Sequence, residues 1–235
     1  HMGCLFAKGE FPVDYATVLT VAKCKDALMA GFTTFRDAGS VSEGLKLAFD
    51  EGVLPGPRIY PCGAYISQTC GHGDSEYAHT YRDIQYRHPS STVLVDGVPE
   101  IIRAVREQFY RGASHIKLMA TEILNRHEDI RFLFGTDMMI TGPDYQVEQS
   151  EDIRYYEKRF GTMRALRALT GTANEVFALT TYQNPYPKGK IGVLEAGSYA
   201  DLLLVDGDPT KSVSVLADTD HLRLIMKGGT VYKNT

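Results

Sequence analysis

Between residues 14 and 177, short apolar stretches alternate with stretches of helical period, and the apolar stretches lack the inside-outside alternation of a half-buried strand. Strands of that kind are buried on both faces. They belong to a parallel sheet covered by helices, either an open doubly wound sheet or a closed barrel, and the pattern does not choose between them. Residues 14–30 read as a helix with Tyr15, Val18, Ala22 and Met29 near one face, Asp14 at its start and Gly31 at its end. A strand at 32–36, a helix at 42–51 and a buried strand at 58–62 follow, the last after the turn Pro55-Gly56-Pro57. Further on come a helix at 99–110, a strand at 115–120, a helix at 122–127 and a strand at 131–136. Two helices close the unit, one ending near Leu169 and one starting near Thr172.

Two regions break the alternation. Residues 67–97 show little regular pattern and are rich in Gly, His, Tyr and Ser, a length that in a compact domain marks a functional loop. Residues 190–235 read as all β, with strands at 191–194, 202–205, 222–226 and 230–232 separated by turns at Ala196-Gly197, Gly207-Asp208-Pro209 and Gly228-Gly229. We therefore expect an α/β unit over residues 1–187 and a small β module over 188–235. The net charge of −4 and the scattered basic residues point to neither nucleic acid nor an anionic membrane as partner. No apolar run approaches the roughly 18 residues of a membrane span, and no secretory leader is visible, so the expectation is a cytoplasmic chain with no membrane partner. Cys4, Cys24, Cys62 and Cys70 lack Cys-x-x-Cys spacing and read as reduced, mostly buried thiols.

Chemistry gathers at two strand ends. In Phe132-Leu-Phe-Gly-Thr-Asp137 alternation puts Leu133, Gly135 and Asp137 on one face, so a carboxylate stands just past the carboxyl end of a buried strand, where parallel α/β folds place active sites. In His115-Ile-Lys-Leu-Met119 an ionisable Lys117 lies inside an apolar strand, where an isolated ammonium is costly unless paired, neutralised or modified. On spacing alone the simpler reading is a salt bridge for Lys117 and a helix cap for Asp137. His72, in Gly71-His-Gly-Asp74 on the long loop, either contacts substrate or bonds its own backbone. Arg36 and Asp37 end their strand; they orient metal ligands from behind or, the favoured reading, pair with each other. His79, His88 and His221 show no ligand spacing, and Tyr77, Tyr81 and Tyr86 read as packing residues.

Five segments stand in the order seen in imidazolonepropionase-like amidohydrolases, a group that includes Xaa-Pro dipeptidases. They are Gly31-Phe-Thr-Thr-Phe-Arg-Asp-Ala-Gly39, Gly56-Pro-Arg-Ile59, Ile66-Ser-Gln-Thr-Cys-Gly-His-Gly-Asp74, His115-Ile-Lys-Leu-Met-Ala-Thr121 and Phe134-Gly-Thr-Asp137. The tail stretch from Gly189 to Asp206 is similar to the strand that returns that family's chain to its β-sandwich. The resemblance implies a (β/α)8 TIM-like barrel with a small β-sandwich domain. It also implies a centre of one or two divalent metal ions, zinc by default, at the carboxyl ends of the strands. Lys117 matches the lysine that, carboxylated, bridges the metals, and carboxylation would answer its burial. Asp137 matches the aspartate that ends strand eight, a metal ligand and the acid and base of the reaction. His1 is either the second histidine of a His-x-His ligand pair or a cloning scar.

The chain also departs from that pattern. Between Thr121 and Phe134 it holds about one helix and a strand start where an eight-unit barrel of roughly 250 residues needs several units, and the expected strand-five and strand-six histidines are absent. His127 falls in a helical stretch and is not taken as a ligand. Further segments are therefore expected before residue 1 and near 121–122, and the fold expectation concerns the parent architecture, only partly represented in this chain. The functional expectation is hydrolysis of a carbon-nitrogen amide bond in a dipeptide, an N-acyl amino acid or a cyclic amide, by a protein free to form homo-oligomers. The alternative is a truncated, non-catalytic remnant that binds a partner or nothing.

Overall fold

The structure, a computed structural model, describes residues 13–39, 43–71, 73–74, 92–119, 134–135 and 145–235. The expected helix at 122–127, most of the strand at 131–136, Cys4, and the histidines and tyrosines of residues 77–88 lie outside these residues. Helix α1 (Val13–Met29) leads through Gly31, at φ 89°, into β1 (Thr34–Arg36). Helix α2 (Glu43–Asp50) carries the chain to β2 (Arg58–Tyr60), which pairs with β1 in parallel, Thr34 opposite Arg58 and Arg36 opposite Tyr60. β3 (Tyr65–Ser67) pairs in parallel with β4 (Thr92–Leu94), and on its other side Ile66 bridges Leu118. Helix α3 (Val98–Tyr110) starts at Gly97-Val98-Pro99, where a proline lacking an N–H costs nothing, and stops at Arg111 and Gly112. The expected parallel α/β alternation is present in these ladders.

Which face of α1 is buried differs from expectation. Tyr15 and Val18 are 49% and 64% exposed, whereas Ala16, Thr20, Cys24 and Ala27 are sealed. These four small residues share one face at spacings of four, four and three, and they let the helix axis approach the sheet more closely than bulky side chains would. Cys24 and Ala27 then pack with Leu45, Phe49 and Ile59. Cys24 and Cys62 are buried free thiols, as expected; Cys70 is free and exposed.

Three helices, not two, follow residue 145: α4 (Tyr145–Phe160), α5 (Thr162–Leu169) and α6 (Gly171–Ala178). The extra break falls at Gly161, whose φ of 81° no helix accommodates. The expected strand at 191–194 is absent: Gly192 sits at φ 77° so close to Thr170 that an added Cβ would lie 2.6 Å from its carbonyl oxygen, and the chain turns there instead of extending. The expected patternless stretch 67–97 contains β4, and the expected strand at 115–120 is reduced to the single bridge at Leu118.

The tail forms an antiparallel sheet of β5 (Leu202–Val205), β6 (Leu222–Lys227) and β7 (Thr230–Asn234) in that order. Leu222 and Ile225 of β6 pack on Leu28 of α1. Arg58 of β2 forms an ion pair with Asp201, their side chains 7% and 8% exposed, and its guanidinium lies 4.2 Å from the centre of the Tyr199 ring. Beneath it Tyr60 stacks on Phe177 at 4.0 Å, and the Tyr186 hydroxyl donates to Asp50 while accepting from the Ile59 N–H. On the far side Glu157 of α4 receives Thr162, Ser212, Val213 and Ser214, which fastens the tail's 3-10 turn (Val213–Ala217) to the helices.

Candidate functional site

β1 and β2 run in parallel, and their carboxyl ends meet the segment that carries Lys117. Beyond Tyr60 the strand is interrupted at Pro61–Ala64, where Gly63 takes φ 67° and an added Cβ would stand 2.4 Å from the Gln108 amide oxygen. That amide, from the buried Gln108 of α3, accepts the Ala64 N–H at 2.9 Å. Ser114 closes the other side, its N–H and its hydroxyl both donating to the Pro61 carbonyl at 2.7 and 3.0 Å. The interruption sets β3 against Lys117: Ile66 N–H donates to the Lys117 carbonyl and Met119 N–H to the Ile66 carbonyl, both at 2.9 Å.

Alternation then sorts the side chains. Ile116 packs outward against Ile66, Val95 and Ala104, so His115 and Lys117 face the opposite way. Lys117 is half-buried, with Nζ 5.6 Å from the centre of the Tyr65 ring. On β1, Phe35 packs toward α1 and α2, which leaves Thr34 and Arg36 on the inner side. Thr34, Arg36, His115 and Lys117 all line one cavity of about 910 Å³, whose other wall is apolar and includes Phe32, Leu166, Leu169 and Leu203. Phe134 and Gly135, the described residues of the stretch leading to Asp137, line it as well.

The electrostatics follow from burial. Cys62 is pushed up to about 12, first by burial and then by the Asp37 charge, with Lys117 and Arg36 opposing, so it is a neutral thiol. The His115 imidazolium is pushed down to about 4 by burial and by Arg36, while the Asp37 charge and backbone pull the other way. Its Nδ1 lies 3.0 Å from Ser114 Oγ. The Asp37 carboxylate accepts the Gly39 N–H at 3.1 Å, and no Arg36–Asp37 ion pair is seen among the described residues, contrary to the pairing expected from sequence. The reason is geometric: consecutive residues on an extended strand point to opposite faces.

Of the sequence-derived site residues, the structure places Lys117 on the cavity wall; Asp137, His1 and His72 lie outside the described residues. His221 bonds the Asp206 carbonyl in the tail and takes no part. Among the described residues no three His, Cys, Asp or Glu side chains converge as a metal cradle. Sequence reasoning missed His115, Thr34 and Tyr65. The first two were findable, because each sits two residues from an already noted residue on the same strand face.

A family model described as amidohydrolase family matches residues 4–128, just over half of the chain. Ochratoxinase from Aspergillus niger is 35% identical over 120 residues, covering 46% of this chain and 25% of that protein. The matched stretch thus spans a quarter of the curated relative's length. Among solved structures, a prolidase complexed with N-methylphosphonate-L-proline superposes with a TM-score of 0.75 at 20% identity, covering 100% of this chain and 85% of that one. A. niger ochratoxinase superposes at 0.63 with 18% identity, covering 100% and 81%. A Xaa-Pro dipeptidase with bound methionine superposes at 0.56 with 19% identity, covering 97% and 82%. At these identities the superpositions speak for the fold alone. The ordered motifs, the parallel ladders and the matched family model agree, and the chain belongs to the amidohydrolase family.

Proposed function

We propose that the protein hydrolyses a carbon-nitrogen amide bond, in a dipeptide, an N-acyl amino acid or a cyclic amide, within a (β/α)8 barrel that this chain represents in part. The observation that carries the reading is Lys117, turned inward at a strand end beside a large cavity, in a chain that belongs to a family of amide hydrolases. The similarity to a prolidase and to an ochratoxinase supports it. Divalent metal dependence, with zinc as the ion, is part of the proposal. Lys117 as its carbamate and Asp137 are the ligands proposed from this chain, with His1 and the substrate contact of His72 as lesser members. The metal, when bound, polarises the amide carbonyl and acidifies water. Asp137 takes the proton from the attacking water and returns it to the leaving amine.

The test is turnover of a panel of dipeptides and N-acyl amino acids by full-length protein beside Asp137→Asn. We expect the variant to lose at least about a hundredfold in kcat, the scale of a general acid-base contribution. Equal turnover removes the assignment. The shortness of the stretch between Thr121 and Phe134, which offers His127 as its one histidine, favours the second reading, a non-catalytic remnant. Elemental analysis of the full-length protein separates the two, since a remnant holds no stoichiometric metal.

A further inference from the structure

The aromatic ring of Tyr65 stands where three separate stretches of the chain meet. Tyr65 opens β3, and Ile66 beside it packs outward with Val95 and Ala104, so alternation turns the Tyr65 ring inward, to the side that Lys117 faces. Two glycines make room for it. A Cβ added to Gly39, past the end of β1, would stand 2.6 Å from the ring's Cδ1, and one added to Gly73, on the loop after β3, would stand 2.9 Å from its Cε2. Gly73 is itself pinned, its N–H donating to Oγ of the buried Ser67 at 3.0 Å. The slot between the two glycines therefore fixes the ring. Over that ring lies Lys117 Nζ, 5.6 Å from its centre and within reach of a cation–π contact. The register is held as well, because the Ile66 backbone bonds both Lys117 and Met119 and keeps the two segments from sliding. A lysine stem left to itself samples many rotamers, so a rigid aromatic surface beneath it is what makes one orientation persist.

We propose that Tyr65 is a positioning residue that acts through Lys117: its ring, seated by the absence of side chains at Gly39 and Gly73, sets the direction in which the lysine amine enters the cavity. The proposal rests on the hydrolase reading above, in which Lys117 is a metal ligand, and adds a residue that the reading does not use. The ring and not the phenol hydroxyl does the positioning, so Phe serves at this place and Leu does not.

The test uses full-length protein. After dialysis against a chelator its lysines are reductively methylated with isotope-labelled formaldehyde, and the Lys117 methyl resonance is assigned by its loss in Lys117→Arg. We expect that resonance to lie upfield of those of the exposed lysines, because an aromatic ring shields groups over its face. Tyr65→Phe keeps the displacement and Tyr65→Leu abolishes it. Zinc affinity of the unmethylated protein, read by chelator competition, is unchanged in Tyr65→Phe and lower by about tenfold or more in Tyr65→Leu, the scale of losing a group that orients a metal ligand. In Tyr65→Leu kcat falls alongside, with KM little changed. An unshifted Lys117 resonance in wild type overturns the proposal before any Tyr65 variant is made, as does a Tyr65→Leu protein that binds zinc like wild type. Equal losses in Tyr65→Phe and Tyr65→Leu overturn it too, since the hydroxyl would then be responsible. A ring-dependent resonance in a wild-type protein that holds no zinc and turns over no amide removes the hydrolase reading and leaves the seat of the lysine standing. Zinc binding and turnover with an unshifted Lys117 do the reverse.

Discussion

At the seam between the α/β unit and the tail Arg58, Asp201 and Glu157 are tied to partners, whereas on the cavity wall the Thr34 hydroxyl is buried with no hydrogen-bond partner among the described residues. At the seam Arg58 meets Asp201, and Asp201 also accepts the Gly228 N–H at 2.9 Å. Glu157 gathers donors from Thr162, Ser212, Val213 and Ser214. On the wall the Thr34 hydroxyl and His115 Nε2 are buried without a hydrogen-bond partner among the described residues. The two regions lie on the same strands, since Arg58 is the residue opposite Thr34. Thr34 and Arg58 therefore share one face of the ladder, and a group tied into an ion pair stands beside a buried hydroxyl without a partner among the described residues.

The largest effect should come from the seam. Arg58→Ala leaves the Asp201 carboxylate buried without its partner, and breaking such a pair costs about 3–5 kcal/mol, read as a fall in the urea midpoint. Removing both charges together, Arg58→Met with Asp201→Leu, should cost much less, because no lone charge remains. If the single and double variants are equally unstable, the pair's packing and not its charge holds the seam.

A smaller effect carries a pH signature. Burial alone would raise the Glu157 carboxyl, but the hydrogen bonds from Ser214, Thr162, Val213 and Ser212 outweigh it and hold the group down to about 2. A depressed carboxyl contributes stability that is complete above its ordinary value near 4.5 and is lost as pH falls through about 2. Because Glu157 is partly open to solvent, Glu157→Gln should cost only about 1–2 kcal/mol at neutral pH. The difference between variant and wild type should shrink across that acid window in pH-resolved melts. A constant difference would mean that Gln disturbs the turn by its shape alone.

The same two regions show what could be read from residue order. Period and turn residues located most elements, because burial on both faces and glycine stops are local signals. They failed at Gly161, where one positive φ splits a helix whose flanks both read as helical, and at Gly192, where contact with Thr170 bends an apolar run. They also misjudged α1, since bulk was taken as the mark of burial and the small face of Ala16, Thr20, Cys24 and Ala27 was the one sealed. Lys117 was legible because a charge inside an apolar strand demands an explanation. The seam was not: Arg58 and Asp201 are separated by 143 positions, and nothing local ties them. Asp137 was legible only as the end of a strand, and its surroundings are outside the described residues.

The smallest effect has the opposite sign and separates the two regions most cleanly. Thr34→Val keeps the side-chain shape and removes a buried hydroxyl that lacks a hydrogen-bond partner among the described residues, so nothing is left stranded by the change. At the seam any such deletion strands a partner and destabilises. On the wall it should raise stability by up to about 1 kcal/mol, because burying an unpaired hydroxyl was a net cost in the parent. Urea denaturation of ligand-free protein measures this directly. A destabilisation of the usual size for a lost hydrogen bond would show that the hydroxyl has a protein partner after all, and the contrast between Thr34 and its neighbour Arg58 across the ladder would disappear with it.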